Sequence, residues 1–249
     1  MTRIDRPPGN VTGAERRGGR VGFARLMLGL AAASVLCVGL VHLRVRSGDD
    51  SFRFLDWNLF LAWVPMGFAL AAYACARRRI HVLAALFGLA WLLFFPNAPY
   101  LLTDFIHLQG SAQTPLWYEG LMLSAFAWTA LLVGFVSLYL MHAIVRHGAG
   151  VVAGWLGVVV ALALASVGVY LGRYIGLNSW DALLHPGRVA HVIEAHLRDP
   201  LHRPRLAESL VVLTSFLTVA YIVFASAAGL QTQVERDWAS AGARRGARP

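Results

Sequence analysis

Residues 94–108 read FFPNAPYLLTDFIHL, the close of an apolar run that starts near Ile80. Two prolines interrupt the run and a polar stripe follows. At about 3.6 residues per turn, Asn97, Tyr100, Asp104 and His107 fall near one face, and Leu101, Leu102, Phe105, Ile106 and Leu108 cover the rest. An acid and an imidazole are costly at membrane depth, so they face a bundle interior or a wet cavity and mark a functional site by default. Pro96 and Pro99 lack an N–H, which predicts that Leu92 and Phe95 lose their helical partners and leave carbonyls free near Asn97. Such irregular backbone either lines a hydrated cavity or simply ends a helix at the interface.

The chain around this stretch is 57% hydrophobic and 14% charged over 249 residues, with the charges clustered between long uncharged runs, which excludes an ordinary soluble domain. Spanning a hydrocarbon core takes about 20 apolar residues. Six stretches fit, at 26–43, 55–76, 80–102, 116–141, 151–175 and 207–230. The expected fold is all-α, a polytopic six-helix transmembrane bundle over 21–235, with basic disordered tails at 1–20 and 236–249. The net charge of +9 comes entirely from arginine on the basic side, and these arginines flank apolar spans. Anionic membrane lipids are therefore the expected partners, and nucleic acid is not.

Alternate threading of the spans sorts the arginines. Fourteen lie in the segments before the first span, around Arg77, Arg78 and Arg79, at Arg146 and after the sixth span, against seven in the alternate set. The positive-inside rule then puts both termini in the cytoplasm, as expected of a multi-pass protein of the bacterial inner (cell) membrane. The first apolar run is long for a signal peptide and ends at Arg44 and Arg46 without a small-residue cleavage site, so it reads as an uncleaved helix.

The same threading gathers four polar segments on the outer side. Asp56, Trp57 and Asn58 open the second span; Asn97 to His107 close the third; Trp117, Tyr118 and Glu119 open the fourth; Arg173, Asn178, Ser179, Trp180 and Asp181 close the fifth. Asp104 and His107, three residues apart, can point together, either as a proton shuttle oriented by its carboxylate or as metal ligands. No second acid-x-x-His pair and no cysteine at partner spacing accompanies them, so no cofactor is predicted and a metal is disfavoured without being excluded. Arg173 either snorkels to headgroups, pairs with Asp104, Asp56 or Asp181, or grips a phosphate or carboxylate with its planar fork. Its neighbours Gly168, Gly172 and Gly176 recur every four residues, a seam that lets another backbone approach. Glu119 and Asp56 read as first-turn caps, and Trp57, Trp117, Tyr118 and Trp180 as an aromatic belt. Asn58, Asn97 and Asn178 need partners if buried. Residues 187–198 resemble a short interfacial helix, and His185, His191, His196 and His202 show no metal spacing.

Several of these segments together carry a resemblance. DWNLFLAW at 56–63, WLLFFPNAPYLLTDFIH at 91–107, PLWY at 115–118, FAWT at 126–129, YLGR at 170–173 and NSWD at 178–181 resemble the bacterial domain-of-unknown-function family 1361, predicted integral membrane proteins. The resemblance runs over about 55–186 and implies membrane location without implying an activity. The residues thus leave three functions open. One is an outward polar pocket binding or processing a lipid-like or anionic ligand, with Asp104 and His107 as catalytic proton handlers and Arg173, Asn97, Tyr100, Asn58, Asp56, Asn178 and Asp181 as ligand-binding groups. The second is a small-solute or proton transporter, for which the span middles offer little beyond Thr129, Ser137 and Ser166. The third is a non-catalytic scaffold or assembly partner.

Overall fold

The computed structural model describes residues 13–46, 48–108, 114–177, 181–184, 187, 208 and 210–229. Among the described residues there is no strand. The elements are α1 (Gly13–Arg46), α2 (Phe54–Arg77), α3 (His81–Phe94), α4 (Asn97–Tyr100), a 3-10 helix (Leu101–His107), α5 (Leu116–Tyr170), a π-helical turn (Leu171–Ile175) and α6 (Asp181–Leu184); α7 follows (Leu210–Gly229). Five helical runs among the described residues are long and apolar enough to cross a membrane: Val21–Arg46, Phe54–Arg77, His81–His107, Leu116–Ile175 and Leu210–Gly229. α1 starts at Gly13, inside the segment expected as a tail, because Ala14, Glu15, Arg16 and Arg17 are compatible with helix and extend it outward. Residues 1–12 and 236–249, Asn178, Ser179, Trp180 and the four loop histidines lie outside the described residues, as does the expected interfacial helix except for Gly187.

The fourth run cannot be straight. Sixty residues of helix would extend about 90 Å at about 1.5 Å per residue, three times a hydrocarbon core. Gly150 breaks it, with φ 92° and ψ 174°, a conformation open to glycine and strained for any residue with a Cβ. The two arms then return on each other: the rings of His142 and Trp155 lie 4.8 Å apart, and a Cβ on Gly157 would sit 3.8 Å from Val145 Cγ1. α5 is therefore a helical hairpin.

That hairpin receives the proline break. A Cβ on Gly134, in the first arm, would lie 2.7 Å from Ala98 Cβ, and one on Gly168, in the second arm, only 2.5 Å from Pro96 Cγ. α4 is thus wedged between the arms, and the glycine seam serves it: Gly172 lies against the Tyr100 ring, while Gly176 takes a left-handed φ of 75° that closes the π turn. Gly168→Ala should cost about 1–3 kcal/mol of stability, because the contact it would overfill is with a rigid proline ring. Unfolding in detergent measures it, and a neutral result would mean that α4 can back away.

The break differs from expectation in its hydrogen bonds. The Phe95 carbonyl is not left free, since the turn tightens and Ala98 N–H reaches it at 3.1 Å, a three-residue step. The carbonyl that this shift releases is that of Phe94, and Asn97 Nδ2 donates to it at 2.8 Å. Beyond Tyr100 the chain stays in the 3-10 form for seven residues, longer than the three or four usual for such helices.

Several polar side chains between the helix ends bond to one another. Trp91 Nε1 donates to Ser137 Oγ at 3.1 Å, and Ser137 donates to the Gly134 carbonyl at 2.7 Å. Cys37 Sγ and Thr129 Oγ1 are 3.5 Å apart. α7 is tied to α5 at two levels, by Thr214 Oγ1 donating to Ser166 Oγ at 3.0 Å and by a 3.0 Å hydrogen bond shared between the Tyr221 hydroxyl and His142 Nδ1.

A buried arginine niche at one end of the bundle

The alternation of the helices brings one set of ends together: the last turn of α1, the first turns of α2 and α5, the 3-10 helix and the π turn. Arg173 organises this end. It projects from the π turn, a form of helix that is rare and often placed at functional sites. Its side chain is 11% exposed, and Asp104, its ion-pair partner, is 1% exposed. Every nitrogen of the guanidinium is used. Nε donates to Thr103 Oγ1 at 2.9 Å, Nη1 to His107 Nε2 at 3.3 Å and Nη2 to Asp104 Oδ1, while the guanidinium carbon lies 4.3 Å from the centroid of the Tyr100 ring.

The three acceptors come from one short element. In a 3-10 helix residues three apart eclipse, which stacks His107 over Asp104, and the Thr103 hydroxyl, which also donates to the Tyr100 carbonyl at 2.7 Å, stands beside them. Arginine can only donate, so His107 Nε2 is the acceptor and the imidazole is neutral with its proton on Nδ1. The far side of His107 meets the edge of the Phe54 ring at 5.2 Å between centroids. Asn58, from α2, lies beside the Asp104 carboxylate. Asp104 Oδ2 is nevertheless buried without a partner at ordinary hydrogen-bond distance, so the carboxylate is under-satisfied.

Of the residues singled out from the sequence, Asp104, His107, Arg173, Tyr100 and Asn58 come together here. Asn97 is committed to the backbone break. Asp56 lies toward α1, with its Oδ2 4.0 Å from His42 Nδ1, and Asp181 opens α6. Thr103 was missed, although its spacing of four residues from His107 placed it within reach of the same partner. Among the described residues, no three of His, Cys, Asp and Glu gather as a metal site would require.

A second buried network shares this end of the bundle. Arg44, 4% exposed, donates through Nη1 to Glu119 Oε1 at 2.7 Å and through Nη2 to Asp49 Oδ2 at 2.6 Å. Its guanidinium carbon sits 4.3 Å above the Phe52 ring. Glu119 was expected as a helix cap; α5 has no side-chain cap there, because the last turn of α1 presents Arg44 to it instead. Asp49 accepts from Ser51 N–H at 3.0 Å, and the Ser51 hydrogen bonds, with Arg44 adding to them, hold its carboxyl down at about 2. Beside it, Tyr118 donates to the Leu40 carbonyl at 2.8 Å.

A family model described as a protein of unknown function (DUF1361) matches residues 57–224, a stretch that includes every residue bonded to Arg173 and most of the bundle. No curated protein and no solved structure matches. With about two thirds of its length inside that match, the chain belongs to the DUF1361 family of proteins of unknown function.

Proposed function

We propose that this protein crosses a bacterial cell membrane six times with both termini in the cytoplasm, and that the Arg173 niche lies beneath the outer leaflet and holds the anionic group of a lipid-like ligand. The hairpin at Gly150 and the arginine asymmetry along the chain support the path and its direction. One observation carries the ligand reading. A fully buried carboxylate with an unmatched oxygen is set against an arginine on two irregular helices, an arrangement costly to maintain for packing alone. In the bound state Arg173 turns one arm of its fork to the ligand while it keeps Asp104; Thr103 and Asn58 supply neutral donors, and His107 is the group that handles a proton. Membrane lipids are the natural source, since the site lies at headgroup depth. The span middles offer no comparable polar track, because Thr129, Ser137 and Ser166 are each engaged in internal bonds.

One observation favours a second reading, a scaffold in which the cluster only orders the bundle: the guanidinium already has a partner on every nitrogen. Lipid that co-purifies with the detergent-solubilised protein separates the two. Arg173→Gln combined with Asp104→Asn should leave a folded, inserted protein that has lost a stoichiometric anionic lipid seen with the wild type. If neither form carries such a lipid, the scaffold reading stands.

A further inference from the structure

The hydrogen-bond direction at His107 bears on the chemistry of the ligand. The resting niche is electrically balanced: Arg173 is cationic, Asp104 anionic, and His107 neutral because it accepts from Arg173. An anion entering a site this buried without a compensating charge would meet a large desolvation cost. His107 is the group placed to offset it.

We propose that the niche takes up a singly charged phosphodiester together with one proton, which His107 receives. This rests on the anionic-ligand reading above and specifies its class and its coupling. The proton comes from solvent and settles on His107 Nε2, the lone pair that Arg173 now occupies. Nε2 thereby changes from acceptor to donor, and its contact with Arg173 Nη1 becomes repulsive. Arg173 loses one of its three anchors as a new N–H appears beside the vacated place. The exchange is neutral overall, one negative charge in and one positive charge gained, with Asp104 remaining ionised.

A phosphodiester fits these donors better than a carboxylate. Arg173 on the π turn, Asn58 on α2, and Thr103 and protonated His107 on the 3-10 helix approach from three elements, so their donors are spread in space and suit a tetrahedral group with several acceptor oxygens. A carboxylate would only repeat what Asp104 already provides within the chain. A phosphate dianion would require a second proton, and Asp104 would have to become neutral to supply the balance.

Other charges around His107 do not substitute for it. From α2 it meets the Phe54 ring, and Asp56 of that helix lies toward His42. From α5, Glu119 is committed to Arg44. α4 contributes Tyr100, stacked on Arg173.

The test uses the full chain in detergent micelles, titrated with phosphatidylglycerol, whose single charge is constant across the range, and separately with dimethyl phosphate in water. Uptake of one proton should tighten binding by up to about tenfold per pH unit as the pH is lowered from about 8 to about 5. His107→Gln keeps an acceptor for Arg173 and cannot be protonated, so it should bind with no pH slope. A slope seen only with dimethyl phosphate supports the chemistry and identifies a free anion as the ligand; a slope seen only with the lipid identifies a headgroup. The proposal is overturned if wild-type binding is lost in Arg173→Gln yet does not vary with pH, or if His107→Gln keeps the wild-type slope; the anionic-ligand reading survives either result. Binding that is absent, or indifferent to Arg173→Gln, removes that reading and this inference with it.

Discussion

Arg173→Gln will destabilise the protein by about 3–5 kcal/mol, the range for stranding one charge of a buried pair. Asp104 is 1% exposed and already has one oxygen unmatched, so without Arg173 it loses its counter-charge and must either protonate or draw water into the bundle. The companion changes should be unequal. Asp104→Asn leaves Arg173, which is 11% exposed, still bonded to Thr103 and His107 and stacked on Tyr100, and its loss should be the smaller of the two. The double variant Asp104→Asn with Arg173→Gln should recover most of the loss, since neither charge is then stranded. Reversible unfolding in mild detergent would measure all three. Equal losses for Arg173→Gln and the double variant would show that the arginine acts through shape alone, not as the counter-charge of Asp104.

The second large effect belongs to Arg44. Arg44→Ala removes the counter-charge of Glu119, which is 1% exposed, and should again cost about 3–5 kcal/mol. Glu119→Gln should cost far less, because Arg44 retains its 2.6 Å contact with Asp49 and its place over Phe52. Asp49 itself is 22% exposed and can be hydrated once Arg44 is gone. The expected order, Arg44→Ala well above Glu119→Gln, is read from the same unfolding assay. The reverse order would place the cost in the cationic partner.

Much of this end of the bundle was legible beforehand. Run length and the clustering of charge pointed to long apolar helices, and among the described residues five such runs are long and apolar enough to cross a membrane. Arg173 had three acids within topological reach, and the structure pairs it with Asp104. The glycine spacing announced a close approach without saying to what; the answer, Pro96 and Tyr100, needed the hairpin at Gly150, which looks in the sequence like any glycine between two apolar runs. Thr103 was invisible for a different reason. A single hydroxyl in a membrane helix has an easy local explanation, and its second role depends on a 3-10 backbone that no hydrophobic period encodes. The Arg44–Glu119 pair was hidden by separation: its members stand 75 residues apart, and each had a sufficient local reason to be where it is, one as an interfacial charge and the other in a first helical turn.

The two ties between α7 and α5 have a mechanical consequence. Thr214 and Tyr221 are seven residues apart and meet Ser166 and His142 at two depths of the same hairpin, so the bonds act together as a gauge of rotation and height. Seven residues turn a helix by nearly two full revolutions and raise it about 10 Å. Adding one residue between them would swing everything beyond by about 100°, leaving one tie or the other facing lipid. The two bonds therefore hold α7 at one angular setting against α5.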